Sequence, residues 1–564
     1  MKKLPTSVEN FRELIKRDYY YVDKTMLIED IVELSGKIKL ITRPRRFGKT
    51  LNMDMMLRFF SMDEKEDLFT NLKIWNEKGI VQEHYHKYPV IYISFKSIKE
   101  QSWQEARNTI VELVSELAQK HIDLDVSDIT KEKIMQIAKR KAGLSLYKKS
   151  LQLISQALYE ERGIMPIILI DEYDVPIESA YLNRNKDPEY YDNMIDFMRV
   201  FLTSALKGSD TYFSFAVLTG VYRIAKESIF SGLNNLAVYT VFDNPMSDKF
   251  GFTEDELINM LEYYGLNEED KEIIDKWYGN YKIGKTQNLY NPWSIVNYIA
   301  SRTEGELSPK EATQKYWINT SENKIIIEQI EGNEEIKSEI DELLQKKEII
   351  TSVDTSLSLR EMEEDETAVW VLFANSGYLN ARWVDIGRYA FWIPNEEIMI
   401  FFKESVLRWI NKKTKVRVKK LYDYLDEMLR SGRYENFVEG LRNFLENGLS
   451  YYDVARNEAE RFYKGFLLGI LAIAGYIVES EMESGYGRLD VVVYPKDKSY
   501  GQYAAIFEVK KSDNEKELEE KAEEALLQIK ERKYYSKMQK LGYKVIGFGI
   551  AFCGKKVEIQ VDTL

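Results

Sequence analysis

The hydrophobic pattern changes character twice along the chain. Over the first 250 residues, short apolar runs rich in β-branched or aromatic residues recur at Ile38–Thr42, Val90–Phe95, Ile167–Ile170 and Tyr212–Leu218. Polar or Gly/Pro residues bound each run, as expected of buried strands. Longer stretches of helical period separate them, among them Trp103–His121 and Asn193–Leu206. Buried strands joined by helices predict a parallel sheet covered on both faces.

From about residue 252 to 450 the pattern turns helical. Phe252-Thr-Glu-Asp-Glu, a Thr with acidic residues in the following turn, predicts a helix start. The Pro of Tyr290-Asn-Pro-Trp-Ser opens another helix. Trp277, Trp293 and Trp370 read as core rather than as nucleobase platforms, and this stretch holds no motif with assignable chemistry. The last 110 residues return to mixed α/β. They predict a helix near Asn457–Tyr476, strands near Leu489–Tyr494 and Ala504–Lys510, a charged helix from Glu515 to about Met538, and a strand near Lys544–Phe552. The fold class is therefore α/β: an N-terminal P-loop-type parallel sheet (1–250), a mostly helical acidic connecting or sensor region (251–450) and a C-terminal α/β domain (451–564). For 564 residues, three domains agree with roughly 100–200 residues per domain.

The first of these domains carries a phosphate-binding loop. Ile38-Lys-Leu-Ile-Thr-Arg-Pro-Arg-Arg-Phe-Gly-Lys-Thr-Leu places Gly48-Lys-Thr after a strand and before an amphipathic helix. There, backbone N–H groups and a helix N-terminus can cradle phosphate. Lys49 would neutralise the β- and γ-oxygens of ATP and the Thr50 hydroxyl would ligate Mg²⁺. Arg43 stands where the general consensus has its first Gly, which implies an altered loop. Arg45 and Arg46 would add charge beside the phosphates. A bare Gly-Lys-Thr is common by chance, so a second motif must support it. Met165-Pro-Ile-Ile-Leu-Ile-Asp-Glu-Tyr-Asp supplies that motif, a buried strand ending in two carboxylates. Asp171 would hold Mg²⁺ and Glu172 would polarise the attacking water. The bland reading is a solvated acidic turn. An extra strand between the motifs and a fourth strand ending near Thr219 match a known order among ATPases. Thr219 would then lie near the γ-phosphate as a sensor, with Arg223 beyond it as either a charge sensor or a structural ion pair.

A second constellation lies in the tail: Gly487-Arg-Leu-Asp-Val-Val-Val-Tyr, then Ala504-Ala-Ile-Phe-Glu-Val-Lys. Alternate residues of a strand share a face, so Glu508 and Lys510 point together while Phe507 and Val509 point away. Asp490 precedes Glu508 by 18 residues, room for a neighbouring strand and its turn. Two such carboxylates can hold Mg²⁺, and a Lys beside them can orient the hydrolytic water. Glu460 could add a third carboxylate, and Gln528 and Tyr534 could contact a substrate backbone. A lone Glu-x-Lys is usually a surface ion pair; the company of Asp490 argues for a nuclease-like site.

Composition changes what these sites can contain. The single Cys553 excludes an internal disulfide and any multi-Cys zinc site. His84, His86 and His121 all lie in the first quarter, so metal elsewhere must sit on carboxylates and carbonyls, which suits Mg²⁺ or Mn²⁺. Taken as a whole-chain figure, the net charge of −13 opposes a nucleic-acid partner. Yet Glu322–Glu366 alone holds 15 acidic and 5 basic side chains, a balance of −10, whereas residues 1–60 carry 13 basic and 8 acidic. The final 114 residues, with 18 basic and 19 acidic, are close to neutral. Met1-Lys-Lys is followed by no apolar core of a secretory signal, and the longest apolar run, Phe466–Val478, is too short to span a bilayer. A reduced cytoplasmic setting with no membrane partner is the expectation.

The whole pattern resembles bacterial AAA-ATPase-like proteins that carry a C-terminal PD-(D/E)XK nuclease-superfamily domain. The resemblance runs almost end to end. It rests on Tyr21-Val-Asp-Lys-Thr, Arg43-Pro-Arg-Arg-Phe-Gly-Lys-Thr, Leu169-Ile-Asp-Glu-Tyr-Asp and Ser228-Ile-Phe-Ser-Gly-Leu-Asn-Asn. Trp277-Tyr-Gly-Asn-Tyr, Tyr290-Asn-Pro-Trp-Ser, Ser376-Gly-Tyr-Leu, Ile393-Pro-Asn-Glu-Glu, Glu460-Arg-Phe-Tyr and Gly485-Tyr-Gly-Arg-Leu-Asp extend it. The resemblance places Arg43 within the family's own loop. It implies a nucleotide site on Lys49, Thr50, Asp171 and Glu172, and a nuclease site on Asp490, Glu508 and Lys510 supported by Glu460 and Gln528. The implied activity is an ATP-regulated, Mg²⁺-dependent nuclease. A nucleotide switch whose C-terminal domain binds without cutting is the alternative, and an oligomeric scaffold with relic sites a third. DNA or RNA as substrate, and the oligomeric state, are left open by the residues.

Overall fold

The computed structural model describes the chain except for residues 208–211, 224–228, 231–232, 234, 319–323, 333, 345, 357–358, 360–364, 366, 415–417, 449–475, 481–482, 485–486, 489–490, 496–498, 500, 513, 534 and 554–555. It divides into two compact units, 1–326 with 350–398, and 327–349 with 399–564.

The first unit is built on a five-stranded sheet: β1 (Ile38–Thr42), β2 (Val90–Ser94), β3 (Ile167–Asp171), β4 (Ala216–Gly220) and β5 (Leu236–Tyr239), in the order β2-β3-β4-β1-β5. All pairings are parallel, with Ile41 opposite Thr219 and Ile170 opposite Leu218. β1, β3 and β4 are buried along their whole length, which is why they read as unbroken apolar runs. The strand expected at Tyr212–Leu218 lies at Ala216–Gly220, with Thr219 near its end as expected. β5 was not legible: Leu236–Tyr239 is only four residues and mostly half-buried, as an edge strand is.

Two helices frame the ends of these strands. Helix α1 (Lys49–Phe60) follows β1 through Gly48, and α2 (Val175–Leu182) follows β3 with Pro176 in its first turn. Further on, Thr253 and Glu256 form the capping box that their spacing predicts. Asn291 caps α3 (Pro292–Thr303), accepting the N–H groups of Trp293 and Ser294. Among the described residues, the segment after residue 250 is mostly helical but also carries two small strand elements. They are the hairpin of Tyr281–Ile283 with Thr286–Leu289, and the sheet of Ile349–Ser352, Asn380–Asp385 and Arg388–Trp392.

The second unit holds a mixed sheet: β6 (Ile477–Ser480), β7 (Val491–Tyr494), β8 (Tyr503–Lys511), β9 (Lys544–Cys553) and β10 (Lys556–Thr563), ordered as numbered. β8 and β9 are parallel and the other neighbours antiparallel. Helix α4 (Leu518–Glu531) lies on β9 and is shorter than expected, because the chain turns at Lys533, whose φ is +50°. The two faces of β8 separate by alternation. Ala505, Phe507 and Val509 join Leu425, Met428 and Phe437 in one core, whereas Ala504 and Ile506 join Leu526 and Ile529 of α4 in another. The helix expected at Asn457–Tyr476 falls almost entirely outside the described residues. Among the described residues no helix is long and apolar enough to cross a membrane.

Candidate functional site

The loop between β1 and α1 brings Gly48 to φ +84° and Arg46 to φ +65°. The left-handed region suits Gly48, which has no Cβ, and is uncommon for Arg46. No side chain caps the first turn of α1, the condition in which its N–H groups serve an anion. Lys49 is buried, and its Nζ donates to the carbonyls of Arg43 at 3.0 Å and Pro44 at 2.9 Å. Burial pushes its pKa down, while Glu172, Asp174 and Asp171 pull the other way.

Three elements converge on Asp171, which is fully buried at the end of β3. Thr50 donates its hydroxyl to Oδ2 at 2.8 Å from α1, and Thr219 donates to Oδ1 at 2.6 Å from β4. The donor set is all oxygen, which fits a hard cation such as Mg²⁺ held between Thr50 and Asp171. Glu172 follows with φ +53°, a conformation that turns the chain away from the sheet. Burial raises the Glu172 carboxyl above the usual carboxylate range, with Lys49 opposing. That direction suits a group that must accept a proton.

Each arginine of the loop has partners within the protein. Arg43 is fully buried, and its guanidinium donates to the carbonyls of Thr42, Tyr239, Thr240, Pro245 and Met246 at 2.8–3.3 Å. Burial lowers its pKa to about 10. Arg45 makes a forked contact with Glu178 of α2, at 2.6 and 2.7 Å. Burial works against the Arg45 charge, but Glu178 outweighs it and the pKa is raised. Arg46 lies over the ring of Trp293 at 4.3 Å and stands 3.7 Å from Glu9.

Asp174 is a buried residue whose role no sequence signal announced. Its Oδ2 accepts the N–H groups of Val221 at 2.7 Å and Tyr222 at 2.9 Å, where the chain leaves β4. A Cβ on Gly220 would fall 2.6 Å from Asp174 Oδ1, so only glycine fits there. Burial raises the Asp174 pKa to about 6. Asp174 and Tyr173, whose hydroxyl reaches the Tyr222 carbonyl at 2.6 Å, thus tie the exits of β3 and β4 together. Arg223 follows directly after this turn.

In the second unit, Glu508 and Lys510 share the α4-facing side of β8, as the alternation predicts. Glu508 is 5 % exposed and accepts from the Gln528 side chain. Lys510 donates to Glu524 at 2.7 Å, and Lys521 donates to the other Glu524 oxygen at 2.7 Å. These hydrogen bonds hold the Glu524 carboxyl down at about 2. The helix reaches this close because glycine faces it: a Cβ on Gly549 would lie 2.2 Å from the Ala522 carbonyl oxygen. Asp490, Glu460 and Tyr534 lie outside the described residues. Among the described residues no group of three or more His, Cys, Asp or Glu side chains forms a metal cage.

The parallel sheet with its loop-and-carboxylate site defines a P-loop-type nucleotide fold, and the mixed sheet with Glu508 and Lys510 a nuclease-like one. Residues 5–230 match the family model of the predicted AAA-ATPase, and residues 458–561 match that of the PD-(D/E)XK nuclease superfamily. The two matched regions are those of the architecture that joins an AAA-ATPase-like domain to a C-terminal PD-(D/E)XK nuclease-superfamily domain. It is also similar to the "Uncharacterized protein in vnfD 5'region" of Azotobacter chroococcum mcd 1. The two are 27% identical over 561 residues, 98% of this chain and 96% of the other.

Proposed function

We propose that the chain binds and hydrolyses ATP in its N-terminal domain and thereby regulates Mg²⁺-dependent phosphodiester cleavage by its C-terminal domain. The observation that carries this reading is the convergence of Thr50 and Thr219 on the two oxygens of Asp171. In the proposed site Gly48 and the α1 N-terminus receive the phosphates, with Arg46 nearby. Lys49 leaves its loop carbonyls for phosphate oxygens. Thr50 and Asp171 would hold Mg²⁺, whose charge would offset that of the phosphate oxygens. Glu172 accepts the proton of the attacking water, and Thr219 orients Asp171. Functional modules of 1–250, 251–450 and 451–564 follow from this assignment, in a cytoplasmic protein whose second substrate is nucleic acid.

In the C-terminal domain, Glu508 would hold Mg²⁺ with Asp490 and Glu460, and Lys510 would orient the hydrolytic water. The nearest support is the pairing of Glu508 with Gln528 on the face that carries Lys510. Asp490 directly precedes Val491, which pairs with Phe507, the neighbour of Glu508. The test is cleavage of DNA and RNA oligonucleotides with Mg²⁺ or Mn²⁺, with and without ATP. Lys510→Ala should abolish cleavage and spare ATP binding; wild-type protein that cuts neither substrate removes the nuclease claim.

One contact favours a second reading, a nucleotide switch that binds nucleic acid or protein without cutting. Lys510 is engaged by Glu524, an arrangement suited to docking as well as to catalysis. An ATPase rate indifferent to nucleic acid, together with loss of partner binding in Lys49→Ala, would favour the switch.

A further inference from the structure

Every residue from Pro44 to Phe47 meets a partner from the segment after residue 250 or its carbonyl does. Pro44 abuts Gly377, where a Cβ would lie 2.8 Å from the proline ring. Phe47 packs edge-on against Tyr281 at 5.2 Å, and Arg46 covers Trp293. The Arg45 carbonyl accepts the indole Nε1–H of Trp317 at 3.1 Å. Trp317 is itself buried and lies against Tyr378, with ring centroids 5.0 Å apart.

The Trp317 and Trp293 contacts lead to one buried carboxylate. Glu397 Oε1 accepts the backbone N–H of Trp317 at 2.7 Å and that of Ile318 at 3.4 Å. Its Oε2 accepts the Ser294 hydroxyl at 3.2 Å, beside the Trp293 that carries Arg46. Glu397 is fully buried at the start of a helix, after Asn395, which accepts the Ile398 N–H and donates to the Gly279 carbonyl. A carboxylate is kept in such a place only where it is hydrogen-bonded, and here its bonds come from Trp317, Ile318 and Ser294, the first touching the loop and the last next in sequence to Trp293.

We propose that Glu397 is a positioning residue for the phosphate loop, acting through the Trp317 indole on the Arg45 carbonyl. The inference rests on the nucleotide-binding reading of that loop. In a trans peptide the carbonyl and the next N–H point in opposite directions. Holding the Arg45 carbonyl on Trp317 therefore aims the Arg46 N–H to the other side of the loop. It also keeps Arg46 in its left-handed conformation. Fixing that peptide in advance spares its ordering when phosphate binds. The segment after residue 250 thus sets nucleotide affinity through a hydrogen bond rather than through any contact with nucleotide.

The test uses the full chain as wild type, W317F, E397Q, E397A and Lys49→Ala, with a fluorescent ATP analogue and Mg²⁺ as probe. W317F keeps an aromatic ring in place and removes the indole donor together with part of the buried ring system. It should weaken analogue binding about 3- to 10-fold, the range of one ordinary hydrogen bond. It should also speed hydrogen exchange at residues 45–48 more than in the rest of the first unit. E397Q, which retains an acceptor oxygen, should lose less than E397A. Wild-type affinity and wild-type exchange in W317F would overturn the proposal. If W317F unfolds, E397Q decides by the same two readouts. If wild-type protein binds no analogue, the nucleotide reading fails. The exchange rates still decide the positioning claim, which unchanged exchange in W317F overturns.

Discussion

Thr219 on β4 donates its hydroxyl across 2.6 Å to Asp171 at the end of β3, inside a cluster that excludes solvent. Thr219→Val keeps the shape and removes the donor, leaving a buried carboxylate oxygen unsatisfied. The expected cost is about 1–3 kcal/mol of stability in urea titration. Asp171 also loses its orientation, so Mg²⁺-dependent analogue affinity should fall while binding without metal changes little. Equal losses with and without Mg²⁺ would count against Asp171 as the metal ligand.

Arg43 offers a sharper contrast between motif and structure. Restoring the general consensus with Arg43→Gly would strand the carbonyls of Tyr239, Thr240, Pro245 and Met246, which its guanidinium serves together. Bonds to a charged donor are worth about 1.5–3 kcal/mol each, so the variant should fold poorly or lose several kcal/mol. Arg43→Lys should rescue only part of this, because an ammonium lacks the planar fork. A stable, ATP-binding Arg43→Gly protein would contradict the structural role.

The strands at Ile38 and Ile167 were legible because burial on both faces writes an unbroken apolar run. The face shared by Glu508 and Lys510 was legible because strand alternation is rigid. What Arg45, Arg46, Glu397 and Trp317 do was not, since each acts on a residue tens to hundreds of positions away. A charge beside Gly-Lys-Thr reads as a phosphate ligand until Glu178 and Trp293 are seen to hold it. Asp174 lay in plain view three residues after Asp171, but only its fit against Gly220 reveals the bracket.

Burial raises the Glu397 pKa from 4.5 to about 7, which fixes the sign of a pH effect. Between those values the folded state holds a proton that the unfolded state has lost, so stability contributed by this group falls as pH rises. The contribution is complete below about pH 4.5 and exhausted above about pH 7, on the order of 3 kcal/mol across the window. Glu397→Gln cannot titrate. Urea titrations of wild type and variant at several pH values between 4.5 and 7.5 should therefore diverge, with the variant's advantage growing toward neutral pH. Parallel curves would remove Glu397 as the titrating group.

Gly549 sets the distance between α4 and β9, and with it the position of Gln528 over Glu508. A Cβ there would meet the Ala522 carbonyl and the Leu526 N–H, both backbone atoms that cannot rotate aside. Gly549→Ala should cost about 1–3 kcal/mol or more by overpacking, seen as an earlier unfolding transition of the second unit. Nuclease activity should fall with it while analogue binding by the first unit persists.

Glu524 holds Lys510 and Lys521 at the surface, where water and salt screen an ion pair and leave it little net worth. Glu524→Gln should therefore leave stability almost unchanged. Its effect belongs to chemistry: with the carboxylate neutralised, Lys510 is released from its partner and freed to serve a water or phosphate at Glu508. Cleavage should rise at low ionic strength. The difference from wild type should shrink at about 1 M salt, where the Debye length of about 3 Å already weakens the exposed pair. A Glu524→Gln protein that cleaves more slowly than wild type at low salt would mean that Glu524 orients Lys510 rather than restrains it.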